Sequence, residues 1–191
     1  MLPFVKHSII SALVLGVSLS SYATAATTAA KPGATAAKAA GTVAAPVEGM
    51  PAVDPKTPIY QVDVAKGVSL DDVRQSIEMA SQERNMNIVG KLDIQEGMKG
   101  RGFEAKDTYL IYEVCNLGMG ADIIKAAPEF GIFAPCKIVI YSRNGQLKLL
   151  TYRPTYALTH LKNYPEETRK VAQQIENDII YVMSKAKDGS F

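Results

Sequence analysis

Residues 137–152 read KIVIYSRNGQLKLLTY, and the fold turns on this stretch. Two runs rich in β-branched, aromatic and leucine side chains flank Asn144-Gly145, a pair suited to a two-residue type I′ turn because both residues tolerate positive φ. With that pair at the tip, Arg143 stands opposite Gln146, Ile140 opposite Leu149 and Ile138 opposite Thr151. Strand alternation then gathers Ile138, Ile140, Leu147 and Leu149 on one apolar face, the expected core side of an antiparallel pair.

On the C-terminal side, a helix is expected to open near Tyr164 with Pro165 at its first position and Glu166 and Glu167 in its first turn, and to run to about Lys187 before Gly189. Pro at the start and carboxylates in the first turn both suit the free N–H groups and the helix dipole. Its apolar stripe is Val171, Ile175, Ile179, Val182 and Ala186, widened by Ile180 and Tyr181.

Toward the N-terminus, Tyr109 to Cys115 and Met86 to Ile94 read as strands, separated by a glycine-rich loop from Glu96 to Lys106. Gly118, Gly120 and Asp122 introduce a short helix, Ile123 to Ala127, stopped by Pro128. A helix carrying Leu70, Val73, Ile77 and Ala80 begins after Ser69, with Asp72 completing a capping box. Ahead of it, Ile59 to Ala65 alternates as a half-buried strand. The order β, α, β, β, α, β, β, α predicts an α+β fold, a two-layer sandwich with helices on one face of a mainly antiparallel sheet.

The remaining N-terminal residues are of another kind. Lys6 precedes an apolar run, Ile9 to Leu19, which leads into Ala23-Thr24-Ala25. This is the pattern of a secretory signal peptide over residues 1–25, with cleavage expected after Ala25 and a periplasmic destination. The run falls short of the about 20 residues a membrane-crossing helix needs, so no span is expected after cleavage. Residues 26–58 are mostly Ala, Thr, Gly, Pro and Lys and read as a disordered tether. One domain, 59–191, is left.

From Ile59 to Phe191, 17 Lys and Arg balance 17 Asp and Glu, and no basic run exceeds Arg169-Lys170. A face that neutralises phosphates requires clustered cations, so nucleic acid is not an expected partner. After cleavage His160 is the one histidine, which excludes sites built on two or three imidazoles from one chain. Gly-x-Ser-x-Gly and Cys-x-x-Cys are absent. The Gly97–Gly102 segment has the glycines, Lys99 and Arg101 of an anion cradle, but it joins two expected strands, whereas a phosphate loop leads into a helix.

Cys115 and Cys136 are the only cysteines. In an exported protein they can form a disulfide. Against this, Cys136 shares the parity of Ile138 and Ile140, while Cys115 is out of phase with Leu110, Tyr112 and Val114. Two buried packing thiols are a second reading. A third is a reactive thiol at Cys115, which ends a strand just ahead of Asn116 and a helix start whose N–H dipoles lower a thiol pKa.

Glu113-Val114-Cys115-Asn116, the segment Gly131 to Ile138 containing Pro135-Cys136, the Asn144-Gly145 hairpin and the closing helix together resemble the domain-of-unknown-function family 302 across about Gly67 to Ala186. The resemblance implies a bacterial and archaeal α+β domain, often dimeric, with no agreed reaction, and a signature patch of Glu113, Cys115, Asn116, Pro135 and Cys136. Family members commonly carry Asn-Pro where this chain has Asn116-Leu117, and Leu-Pro-Cys where it has Ala134-Pro135-Cys136.

These readings converge on a periplasmic, non-catalytic module that binds a small molecule or a protein partner, with a homodimer left open. The alternative is a thiol-based redox or sulfur-handling protein using Cys115 or Cys136. The ligand-binding or redox candidates are Glu113, Cys115, Asn116, Pro135, Cys136 and His160; no metal site, catalytic residue or cofactor is read from the sequence.

Overall fold

A computed structural model describes residues 53–54 and 56–191. The expected signal peptide and most of the expected tether lie outside the described residues. Strands β1 (Ile59–Asp63), β2 (Asn87–Asp93), β3 (Tyr109–Cys115), β4 (Cys136–Arg143) and β5 (Gln146–Tyr152) form one sheet in the order β1-β5-β4-β3-β2, every pair antiparallel. The sheet is open, with β1 and β2 at its edges.

The β4–β5 hairpin has the expected register, Arg143 opposite Gln146 and Ile140 opposite Leu149. Its turn carries φ of 54° at Asn144 and 76° at Gly145, as a type I′ turn requires. Ile138, Ile140 and Leu149 are fully buried. They meet helices α1 (Leu70–Glu83) and α5 (Glu166–Lys187), which pack on each other and on the sheet through Val73, Ile77, Ile175, Ile179 and Val182. Ser69 and Asp72 make the expected capping box at the start of α1.

Two segments differ from the sequence reading. Residues Ile94–Lys99 form a helix, α2, inside the stretch expected to be loop. Asp93 caps it by accepting from the Glu96 N–H at 2.7 Å, and that local bond outweighs the cost of Gly97. The next helix, α3, spans Leu117–Ala126 and so starts six residues earlier than expected. Asn116 starts it, its Oδ1 accepting from the Met119 N–H at 3.2 Å, so the two glycines lie inside the helix. A 3-10 turn at Pro128–Ile132, a one-turn helix α4 (Pro154–Ala157) and a second 3-10 turn at Leu158–His160 complete the chain.

Among the described residues no helix is long and apolar enough to cross a membrane.

Candidate functional site

The signature residues gather where β3 ends and β4 begins. Register sets Val114 against Cys136 and Glu113 against Lys137. Glu113 therefore alternates to the sheet face away from α1 and α5, and its carboxylate lies directly over Gly90. A bulge between Ile88 and Gly90 occurs at this point, and only a residue without a Cβ leaves the carboxylate its place. Lys137 Nζ is 3.9 Å from the Glu113 carboxylate and donates to the Pro135 carbonyl at 3.1 Å. The Ala134–Pro135 peptide is cis.

Both cysteines are free thiols. Cys136 packs against the core, and burial, reinforced by the neighbouring Cys115, pushes its thiol up to about 12. Cys115 sits against Gly120 of α3, where an added Cβ would meet its sulfur at 3.3 Å. Burial raises this thiol as well. The direction is opposite to the lowering expected at the start of α3, and its cause is desolvation of the charged form. Asn116 is buried and employed as the α3 cap.

His160 is exposed and keeps different company. Its ring stacks on Phe133 at 6.0 Å and meets Tyr156 edge-on at 5.7 Å, while Phe133 in turn stacks on Tyr152 at 5.6 Å. Among the described residues no group of three or more His, Cys, Asp or Glu side chains is placed to hold a metal ion.

Three features were not legible as functional in the sequence. The first is the sheet face opposite α1 and α5. Across it run three rows of side chains, fixed by register and alternation. The central row is Leu92, Ile111, Val139, Leu150 and Gln61. On one side lie Tyr109, Tyr141, Lys148 and Asp63; on the other lie Gly90, Glu113, Lys137, Tyr152 and Ile59. Val139, at the middle of the central strand, is 8% exposed, whereas Leu92, Tyr109 and Ile59 at the margins are 44%, 42% and 48% exposed. Lys148 pairs with Asp63 at 2.5 Å, and Tyr141 donates to Gln61 at 3.0 Å.

The second is a cavity of about 470 Å3 at the Tyr109 and Tyr141 end of this face, walled by Ile94 and Met98 of α2 and rimmed by Lys106 and Arg143. It lies at the start of β3, so the strand's length separates it from Cys115. Alternation from Val139 already placed Tyr141 and Arg143 on one face; the missing signal was α2, which makes the wall.

The third is a buried ion pair. Arg153 donates from Nε and Nη2 to Glu176 at 2.9 and 2.7 Å, and from Nη1 to the carbonyls of Asp54 and Thr57 at 2.6 and 2.9 Å. The other Glu176 oxygen accepts from the Thr155 N–H at 3.0 Å and from its hydroxyl. Every charge here is matched, which marks a structural clamp.

An open five-stranded antiparallel sheet backed by helices on one side makes this an α+β domain. The family model for Domain of unknown function DUF302 matches residues 60–186, and the chain belongs to that family. An uncharacterized protein of Aquifex aeolicus (strain VF5) is 26% identical over 126 residues, covering 65% of this chain and 81% of the relative. The crystal structure of an uncharacterized conserved DUF302 protein from Bacillus stearothermophilus is similar with a TM-score of 0.61 at 22% identity, over 68% of this chain and 98% of that one. At that identity the likeness is one of fold.

Proposed function

We propose that this chain is a non-catalytic binding module of the periplasm, which takes a small molecule or a protein partner on the uncovered face of its sheet. One observation carries the reading: the apolar row Leu92, Ile111, Val139 and Leu150 crosses four strands on a side that α1 and α5 leave bare, and it borders the cavity at Tyr109 and Tyr141. A contiguous apolar patch rimmed by polar groups is the usual mark of an interaction surface. The signature end supports the same role by shaping that face, since Gly90, Glu113 and Lys137 form its margin.

The thiol-based alternative has less support. A nucleophilic cysteine must be ionised near neutral pH, and burial drives both thiols the other way.

The test places a photoreactive phenylalanine analogue at Tyr109, at Leu92 and, as a helix-side control, at Gln75 of the full chain expressed with its leader. Discrete adducts from the first two positions and none from the control are expected. Silence at all three, with no thermal shift from apolar or anionic small molecules, overturns the reading.

A further inference from the structure

We propose that the cavity at the Tyr109 and Tyr141 end of the sheet is a site for a small amphiphilic anion, a monocarboxylate with an aromatic or branched apolar body. The proposal rests on the binding role argued above and names the place and the class of ligand.

The face away from α1 and α5 is not equally open along its length. At the signature end Phe133 stacks on Tyr152 at 5.6 Å and Tyr156 meets the same ring edge-on at 6.2 Å, so the chain itself fills that corner. At the opposite end Tyr109 and Tyr141 stand in register on neighbouring strands. Tyr141 leans across β5 to donate to Gln61 of β1 at 3.0 Å, which draws its ring away from Tyr109 on β3. Ile94 and Met98 of α2 wall the space that remains, about 470 Å3, a volume ordinary for a small-molecule site.

The walls are fastened to one another. Gln95 Nε2 donates to the carbonyls of Ala105 and Lys106 at 3.0 and 3.3 Å, tying α2 to the segment that enters β3. The Ser142 hydroxyl accepts from the Thr108 N–H at 2.8 Å and donates to the Asp107 carboxylate at 3.1 Å, tying that segment to β4. A cavity held in this way gives up little conformational freedom when a ligand enters.

The rim decides the sign of the ligand. It carries Glu104, Lys106, Asp107 and Arg143. Glu104 lies 3.8 Å from Lys106, and Asp107 holds the Ser142 hydroxyl. Of the four, only Arg143 has a side chain with no ion pair or hydrogen bond among the described residues. Strand alternation puts it on the same face as Tyr141, two residues before it. A guanidinium fork matches a carboxylate with two parallel N–H bonds, while Met98, Ile94 and the Tyr109 ring offer the apolar body its contact. A neutral apolar compound would leave Arg143 unused, and a polyanion would meet Glu104 and Asp107.

Anilinonaphthalene sulfonate, which fluoresces in an apolar site, tests the proposal on the purified full chain, with phenylbutyrate and phenylbutanol as competitors that share a body and differ in the carboxylate. Saturable binding is expected, with phenylbutyrate displacing the probe at a concentration about tenfold or more below that of phenylbutanol, the scale of a charge-assisted hydrogen bond. Arg143→Gln should abolish that preference and leave phenylbutanol unchanged, whereas Met98→Glu should weaken both competitors. Both positions are exposed, and circular dichroism checks the fold of each variant. No saturable binding overturns the proposal, as does a preference that survives Arg143→Gln or binding indifferent to both substitutions. The broader binding role is read separately: photo-adducts from Tyr109 or Leu92 to a protein preserve it when the probe finds no site, and silence in both assays removes both.

Discussion

Arg153 employs all five of its side-chain N–H groups: two reach Glu176, one the Thr155 hydroxyl, and two the Asp54 and Thr57 carbonyls. Removing one member of such a pair strands a charge in the interior, so Arg153→Met is expected to cost about 3–5 kcal/mol in urea unfolding. Exchanging the pair for fitted apolar side chains would cost far less. Cys136 gives a second residue-scale prediction. Its thiol is held up to about 12, against 9.0 in the unfolded chain. The unfolded state therefore loses its proton first as pH rises. The contribution is complete below about pH 9 and is lost progressively between about 9 and about 12. Urea midpoints followed through that window should fall more steeply in the wild type than in Cys136→Ala.

At the scale of elements, the hairpin was legible to the residue because its signal is local: Asn144 and Gly145 sit at positive φ, and alternation does the rest. Gly145→Ala should cost about 1 kcal/mol or more, since an added Cβ opposes left-handed backbone even though open space surrounds it; a shifted thermal midpoint with an unchanged far-UV spectrum would record it. The same logic explains what was missed. Gly97, Gly100 and Gly102 argued for loop, yet Asp93 and the first-turn Glu96 start α2 before the glycines end it. Asn116 belongs to the patch that the family resemblance implies, where a helix cap is one of its readings, and its side-chain oxygen does cap α3, six residues ahead of the expected helix start. In both cases one capping side chain outweighed composition.

For the molecule as a whole, the sequence carried the class of fold and the inward faces of its elements, but not the strand order. Placing β5 between β1 and β4 depends on pairing across about ninety residues, as in Tyr60 against Thr151. The candidate site was half legible for the same reason. Glu113, Cys115, Asn116, Pro135 and Cys136 are near one another because β3 and β4 pair, which adjacent strand ends suggested. The bare face and the cavity at Tyr109 and Tyr141 depend on which side the helices choose, and a periodic stripe on α1 or α5 does not state that choice.

The grip of Arg153 on the Asp54 and Thr57 carbonyls also gives the domain a mechanical character. A pull arriving along the chain ahead of Asp54 passes through these carbonyls into the guanidinium and on to a carboxylate carried by the longest helix. This end of the chain is therefore fastened to α5 as well as to the sheet, and freeing it requires breaking the Arg153 bonds in addition to the pairing of β1 with β5.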